Sequence, residues 1–273
     1  MYFSYWQSHF APAFFFLSKP RRRALQILYA VCRVLDDAVD KKNKAPVNFL
    51  LAWKEAFIQK NPDILIPFHY EALAKDFMAI AEEFRIPLWI FDDFLEKGVK
   101  VDLLDKEFVT QAETEDYCYG VAGTVGLACL PIFGVPLEEG RQFAVQLGTA
   151  VQWVNLIRDV GTDAKMGRCY FPQDHLAYFG LSKQSILEGK AGDPFFELMI
   201  YEAGLAKTFF GKAQNLLPKA WWKELLPARL MGGIYWRLLK KIEKQGFPTI
   251  EKKVKLSFAE KGLAVFNELR TKQ

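Results

Sequence analysis

Cysteine, histidine and glycine-rich phosphate loops are scarce in this sequence, and each scarcity removes a class of chemistry. The four cysteines, Cys32, Cys118, Cys129 and Cys169, form no C-x-x-C pair, so neither a disulfide framework nor a thiolate zinc site is expected. Reduced thiols suit a cytoplasmic protein. The three histidines, His9, His69 and His175, stand apart with no H-x-x-x-H spacing; each reads as structural or surface, with His9 set in an aromatic N-terminal segment. No dinucleotide fingerprint and no G-x-S-x-G elbow is present. Alternating strand patterns are rare. The opening Met1-Tyr2-Phe3-Ser4-Tyr5-Trp6 lacks the basic start and apolar run of a signal peptide. The uncharged stretch Val121 to Leu137 is broken by Pro131, Gly134 and Pro136, which suits a buried helix and its exit better than a membrane span.

What is abundant is apolar and aromatic. Of 273 residues, 51% are hydrophobic and 15% aromatic, with 24 phenylalanines, enough for a large aromatic core or for the lining of an apolar tunnel. The net charge is +4. Its excess lies towards the C-terminus, in Lys240, Lys241, Lys244, Lys252, Lys253 and Lys255; these read first as a solvated helix face, and second as contact with an anionic substrate or a membrane surface. No aromatic platforms line a basic groove, so nucleic acid is not expected as a partner. Apolar residues recur at three- and four-residue intervals over 21–41, 48–60, 68–84, 88–101, 112–130, 137–160, 195–215 and 224–245, punctuated by Pro, Gly and Asn. The pattern predicts one all-α domain over 1–273.

Two segments carry chemistry. In the first, Tyr29, Arg33, Asp36 and Asp40 fall within about 60° on a helix and span about three turns. In the second, Gln152, Asn155, Asp159 and Asp163 form a similar stripe with Arg158 beside it. Apolar flanks (Val151, Trp153, Val154, Leu156 and Ile157) predict that the second helix is buried on most sides. Buried carboxylates need partners. Arg33 and Arg158 would supply part of the positive charge as salt bridges; divalent cations suit the Asp-x-x-x-Asp spacing better. Magnesium in particular takes oxygen ligands and binds through one or two carboxylates plus substrate phosphates. A metal-bound diphosphate is a good leaving group, and aromatic faces in a dry pocket would stabilise the allylic cation left behind. The competing reading of each ladder is a solvated helix face, which two matched ladders make hard to sustain.

At these residues the sequence resembles the squalene/phytoene synthase family. The first ladder, extended as Asp36-Asp37-x-x-Asp40, is similar to one family signature. Gln152 to Asp163, continuing to Gly167-Arg168-x-Tyr170-Phe171-Pro172, is similar to a second, and Tyr117 to Gly126 to a third. The resemblance runs from about residue 4 to about residue 262. It implies an isoprenoid-synthase helical bundle around a central cavity, with Asp36, Asp40, Asn155, Asp159 and Asp163 as magnesium ligands. It also implies Arg33, Arg158 and Lys253 on diphosphate, Tyr29, Tyr117 and Tyr235 near diphosphate and cation, and Phe10 and Phe14 along the prenyl chains. Gln152, Val121 and Ala122 complete the implied substrate-binding set.

The family's reaction joins two prenyl diphosphates head to head through a cyclopropyl diphosphate, which some members then rearrange. Lys19 to Ala24, Ile132-Phe133-Gly134, and Ile234-Tyr235 through Gly246-Phe247 are most similar to bacterial presqualene diphosphate synthases of the hopanoid pathway, which use farnesyl diphosphate. Phytoene, dehydrosqualene and squalene synthases are the alternatives. A non-catalytic assembly role is a further one, which loss of the aspartates would have marked. NADPH is not expected, although reductive squalene synthases bind it without a fingerprint. The lipophilic product makes peripheral membrane contact plausible.

The segment departs from the family pattern at Gln7-Ser8-His9-Phe10, and at Gly161-Thr162, where Gly161 is expected to loosen the last turn before Asp163. Asp92 and Asp93 read as a solvated helix face, Asp102 as a brace for the cavity, and Cys32 and Cys118 as packing residues. Gly123 and Gly126 suit close helix contact or approach of backbone to substrate.

Overall fold

Residues 16–40, 46–58, 68–189 and 192–271 are described by a computed structural model, and among them there is no strand. Helix α1 (Lys19–Asp40) carries Pro20 in its first turn, where a fixed φ and a missing N–H do no harm. Its inward stripe, Ala30, Val31, Val34, Leu35 and Ala38, is buried. Helices α2 (Pro46–Ile58) and α3 (Phe68–Glu83) pack against this end of the bundle through the fully buried Trp53 and Phe77.

Helices α4 (88–103) and α5 (Gln111–Phe133) each contain a widened π-helical turn, at Phe94–Val99 and Tyr119–Gly123. The two turns face each other, and glycine permits the contact: a Cβ on Gly120 would lie 2.4 Å from the carbonyl carbon of Lys97. Periodicity alone located both helices but not these turns, each a short widened segment within an otherwise α-helical run. Among the described residues, α5 is the one helix long and apolar enough to cross a membrane; 56% of its most apolar window is buried inside the bundle, as expected of a core helix. It ends at Gly134, whose φ of 84° is the left-handed stop that glycine supplies best.

The central element is α6 (Leu137–Lys165), with Glu138 and Glu139 in its first turn and Lys165 in its last, the polarity a helix dipole favours. Around it lie α7 (Gln173–Tyr178), α8 (Lys183–Leu187), α9 (Asp193–Asn215) and α10 (Leu226–Lys244). Helix α11 (Phe258–Arg270) packs on the outside of α10. The short α7 and α8 and the terminal α11 are absent from the sequence reading. The first two are only six and five residues long; the third has an unusual apolar pattern taken up below.

A buried polar network ties α6, α7 and α9 together. Glu202 has no exposed surface. It accepts a hydrogen bond from Trp153 Nε1 at 2.8 Å and pairs with His175 Nδ1 at 2.8 Å. Burial opposes a charged imidazole, but the Glu202 carboxylate outweighs it and holds the His175 pKa above its ordinary value. His175 is therefore a core residue.

Candidate active site

An elongated cavity of about 230 Å³ opens between α1, α5, α6 and α10. Along α1 its wall runs from Leu25 to Asp36, and along α6 from Phe143 to Asn155. At 1.5 Å per residue either stretch is about 16–18 Å long. Both helices point the same way, so the cavity has an apolar end (Leu25, Phe133, Phe143) and a polar end (Tyr29, Asp36, Gln152, Asn155, Tyr235). Val121 and Ala122, from the π-helical turn of α5, also line it. Tyr29 and Asp36 of the first ladder and Gln152 and Asn155 of the second thus face one cavity.

Beyond the cavity wall the ladder on α6 continues differently. Arg158, buried, grips Asp159 through Nε at 2.7 Å and through a second, shorter contact from its terminal nitrogen. Lys253 reaches the same carboxylate at 2.8 Å. Burial would raise the Asp159 pKa, but Arg158 and then Lys253 hold it below the usual carboxylate range. Asp163 fares otherwise. Burial, together with the charges of Asp159 and Asp102, pushes its pKa up to about 7, despite the nearby Arg168 and Lys253. Asn155 donates to Gln152 at 3.0 Å, while its own Oδ1 is buried without a hydrogen-bond partner. Tyr235 interacts with both Arg158 and Asn155.

Gly161 does not loosen the helix as expected; α6 runs unbroken to Lys165. A Cβ there would stand 2.1 Å from the carbonyl oxygen of Ile250. The glycine is needed so that the turn Pro248–Ile250 can lie on α6, and that turn leads directly to Lys253.

On α1, Arg33, about half exposed, pairs with the largely buried Asp37 at 2.9 Å, and Arg33 does not line the cavity. Asp40 is the last residue of α1 and its side chain lies outside the described set, as do Phe10, Phe14 and the Gln7-Ser8-His9 segment. Tyr117, expected near the diphosphate, does not line the cavity. It is buried, stacks on Tyr170 with ring centroids 5.0 Å apart, and donates to Asp102 at 3.1 Å. Tyr170 donates to the same carboxylate at 2.7 Å. Burial first, and the Asp102 charge second, raise both phenols' pKa.

A model of the squalene/phytoene synthase family matches residues 7–260. The chain belongs to that family. It is 32% identical over 257 residues to a chloroplastic phytoene synthase of an Oncidium hybrid cultivar, covering 91% of this chain and 61% of the plant protein. It is 30% identical to the 15-cis-phytoene synthase of Synechococcus elongatus, covering 87% and 80%. The chain thus spans about three fifths of the plant relative. Among solved structures, a dehydrosqualene synthase crystallised with a ligand superposes with a TM-score of 0.83 at 25% identity, over 96% of this chain and 91% of that one. Squalene synthase HpnC from Alicyclobacillus acidocaldarius superposes at 0.70 and 23% identity, over 87% and 89%, a likeness of fold.

For a member of this family, the sequence reading missed the Trp153–Glu202–His175 network and the pairing of Tyr119 with Asp93. Asp93 accepts a short hydrogen bond from Tyr119, and Asp92 pairs with Lys54 at 2.9 Å. The pair is therefore tied into the bundle and is not simply solvated. No local motif announces such contacts; 26 residues separate Tyr119 from Asp93. All four cysteines are free thiols. Burial raises the pKa of Cys129, which lines the cavity, to about 12, so it packs rather than reacts.

Proposed function

We propose that the chain condenses two allylic prenyl diphosphates head to head, with farnesyl diphosphate the favoured substrate and presqualene diphosphate the product. The observation that carries this reading is the cavity with two ends. Its polar end gathers Asp36, Asn155, Gln152, Tyr29 and Tyr235, and its whole wall along α1, polar end included, extends about 16 Å. That length suits an extended fifteen-carbon chain better than a twenty-carbon one.

The residues fit a hard dication. Among the described residues Asn155 Oδ1 is buried with no hydrogen-bond partner, and Asp163 is buried beside the negative charge of Asp159. Magnesium keeps waters and shares its shell with phosphate, so it needs only one or two carboxylates from each ladder. Asp36, Asp40, Asn155, Asp159 and Asp163 would hold magnesium. When bound, the ions would offset the charge developing on the departing diphosphate.

The chain's own groups do the rest. Arg158 stands behind Asp159 as fixed positive charge. Tyr29 and Tyr235 offer hydroxyls and ring faces at the polar end, and the apolar shaft keeps water from the cation. The first diphosphate leaves with the electron pair of its C1–O bond. The double bond of the second molecule forms a new C–C bond to that C1, and loss of a proton closes the cyclopropane. The retained diphosphate is the product's handle. NADPH has no role in this step. The expected setting is cytoplasmic, with peripheral contact at a membrane that receives the lipophilic product.

A second reading has its own support: the curated relatives cited above are phytoene synthases, which favours geranylgeranyl diphosphate. The deciding experiment supplies each substrate with magnesium, with and without NADPH, and identifies products by mass. Presqualene diphosphate from farnesyl diphosphate alone is expected. Phytoene from the longer substrate would replace the first reading with the second. No product from either would leave a binding or assembly role.

A further inference from the structure

Helix α11 is built inside out. Its two acids face the bundle: Glu260 takes Lys241 at 2.7 Å, and Glu268 takes the buried Arg229 at 2.7 Å. Glu260 also closes a capping box with Ser257, receiving the Ser257 N–H at 2.7 Å. Its large apolar side chains turn the other way. Phe258 is 89% exposed, and Leu263, Phe266 and Leu269 are exposed with it. On a helical wheel these four fall within about 140°, with Ala259 and Gly262 between them. A stripe that faces water escapes a search for core-facing periodicity.

Positive charge lies on this face at Arg270 and along its edge at Lys261. Lys261 lies over the Phe258 ring at 6.0 Å and Arg270 over the Phe266 ring at 5.3 Å. Glu251, Lys252 and Lys255, all exposed, precede the helix. Because both acids of α11 are turned inward, its outer face carries cations and no carboxylate. Exposed rings interleaved with cations are what an interfacial lipid-binding helix presents. A second copy of the chain is a poor occupant: a helix of 13 residues offers far less than the roughly 800 Å² per partner of a stable interface, and a two-fold axis would set these cations against each other.

We infer that the outer face of α11 docks the protein on the surface of an anionic lipid bilayer. Helix α10 separates this face from the cavity, contributing Met231 and Tyr235 to the cavity wall on one side and holding α11 on the other. The proposed reaction gives the docking its purpose, since the product is a lipid, but the docking requires no substrate and is tested without any.

The full chain is floated with vesicles of phosphatidylcholine, or of phosphatidylcholine mixed with phosphatidylglycerol. Binding to the mixed vesicles alone, weakening as salt rises, is the expected result. The double variant Phe258→Ser, Phe266→Ser should bind at least about tenfold more weakly, and so should the triple variant Lys255→Gln, Lys261→Gln, Arg270→Gln. Both variants should keep the wild-type melting temperature and, with detergent-dispersed substrate, the wild-type turnover. Wild-type protein that ignores both vesicles, or a phenylalanine variant that binds as well as wild type, overturns the inference. So does light scattering that shows a dimer dissolved by the phenylalanine variant, which would assign the face to a second copy. Failure of the proposed reaction would leave the flotation result standing.

Discussion

On α1 the acidic stripe stands at the edge of water, with Asp36 exposed and Arg33 half exposed. On α6 the same spacing is folded into the protein, where Asp159 is 18% exposed and gripped by two cations. A solvated carboxylate keeps its charge at no cost to the fold. A buried one must be neutralised by the chain itself, and here Arg158 and Lys253 do so at Asp159 while Asp163 is left with a proton near neutrality. The two ladders therefore differ in what surrounds them: the first stands open to solvent at Asp36, and the second is held by the chain's own cations.

Substitution separates these roles. Asp36→Asn and Asp159→Asn should each lower product formation by roughly 100-fold or more, the scale of losing one group that stabilises transition-state charge. Only Asp159→Asn should also weaken the fold, by about 3 kcal/mol in urea, because it removes the partner of a buried guanidinium; Asp36→Asn should stay within about 0.5 kcal/mol. Equal stability of the two variants would erase the contrast between the ladders.

Gly161→Ala should cost about 3 kcal/mol through overpacking against Ile250. Because it displaces the turn that carries Lys253, it should also make Asp159 titrate closer to an ordinary aspartate when followed by carboxyl NMR. An unchanged titration would mean that Lys253 does not depend on that turn.

Asp163 gives a pH test. A carboxyl whose folded pKa lies above its unfolded one favours folding in its protonated form. That contribution is complete below about pH 4 and is lost as pH rises through about 7. The difference is worth at most about 4 kcal/mol, and partial solvent access brings the expectation to about 2. In chelator, Asp163→Asn should therefore be the more stable protein at pH 8, with the gap closing towards pH 5. Added magnesium should raise the wild-type melting temperature most at the alkaline end. A gap independent of pH would remove the carboxyl from this account. The smallest effect belongs to the exposed ladder: Arg33→Gln should change stability by no more than about 0.5 kcal/mol, measured by the same unfolding curves.

How much of this was legible before the coordinates depends on whether the cause was local. The helices 137–160 and 195–215 were readable because their apolar residues recur at the helical period, and they form α6 and α9. The two stripes were readable for the same reason. The burial of Val151, Trp153, Val154, Leu156 and Ile157 follows from the chain's own pattern. By contrast, Lys253 reaches Asp159 over a sequence separation of 94, and Tyr170 reaches Asp102 over one of 68; no spacing encodes either contact. Gly161 was seen but misread, because a glycine in a helix looks like weakness until the strand of backbone lying against it is known. Helix α11 was invisible for the opposite reason: its pattern is regular, but it points the wrong way for a core.

The indole of Trp153 leaves α6 on the side roughly opposite Asn155 and is fastened there by Glu202. The roll of the helix about its own axis is consequently fixed at a point no substrate touches. Residues that bind and residues that set the azimuth of the binders are different residues on different faces, so natural variation in one set can proceed without retuning the other.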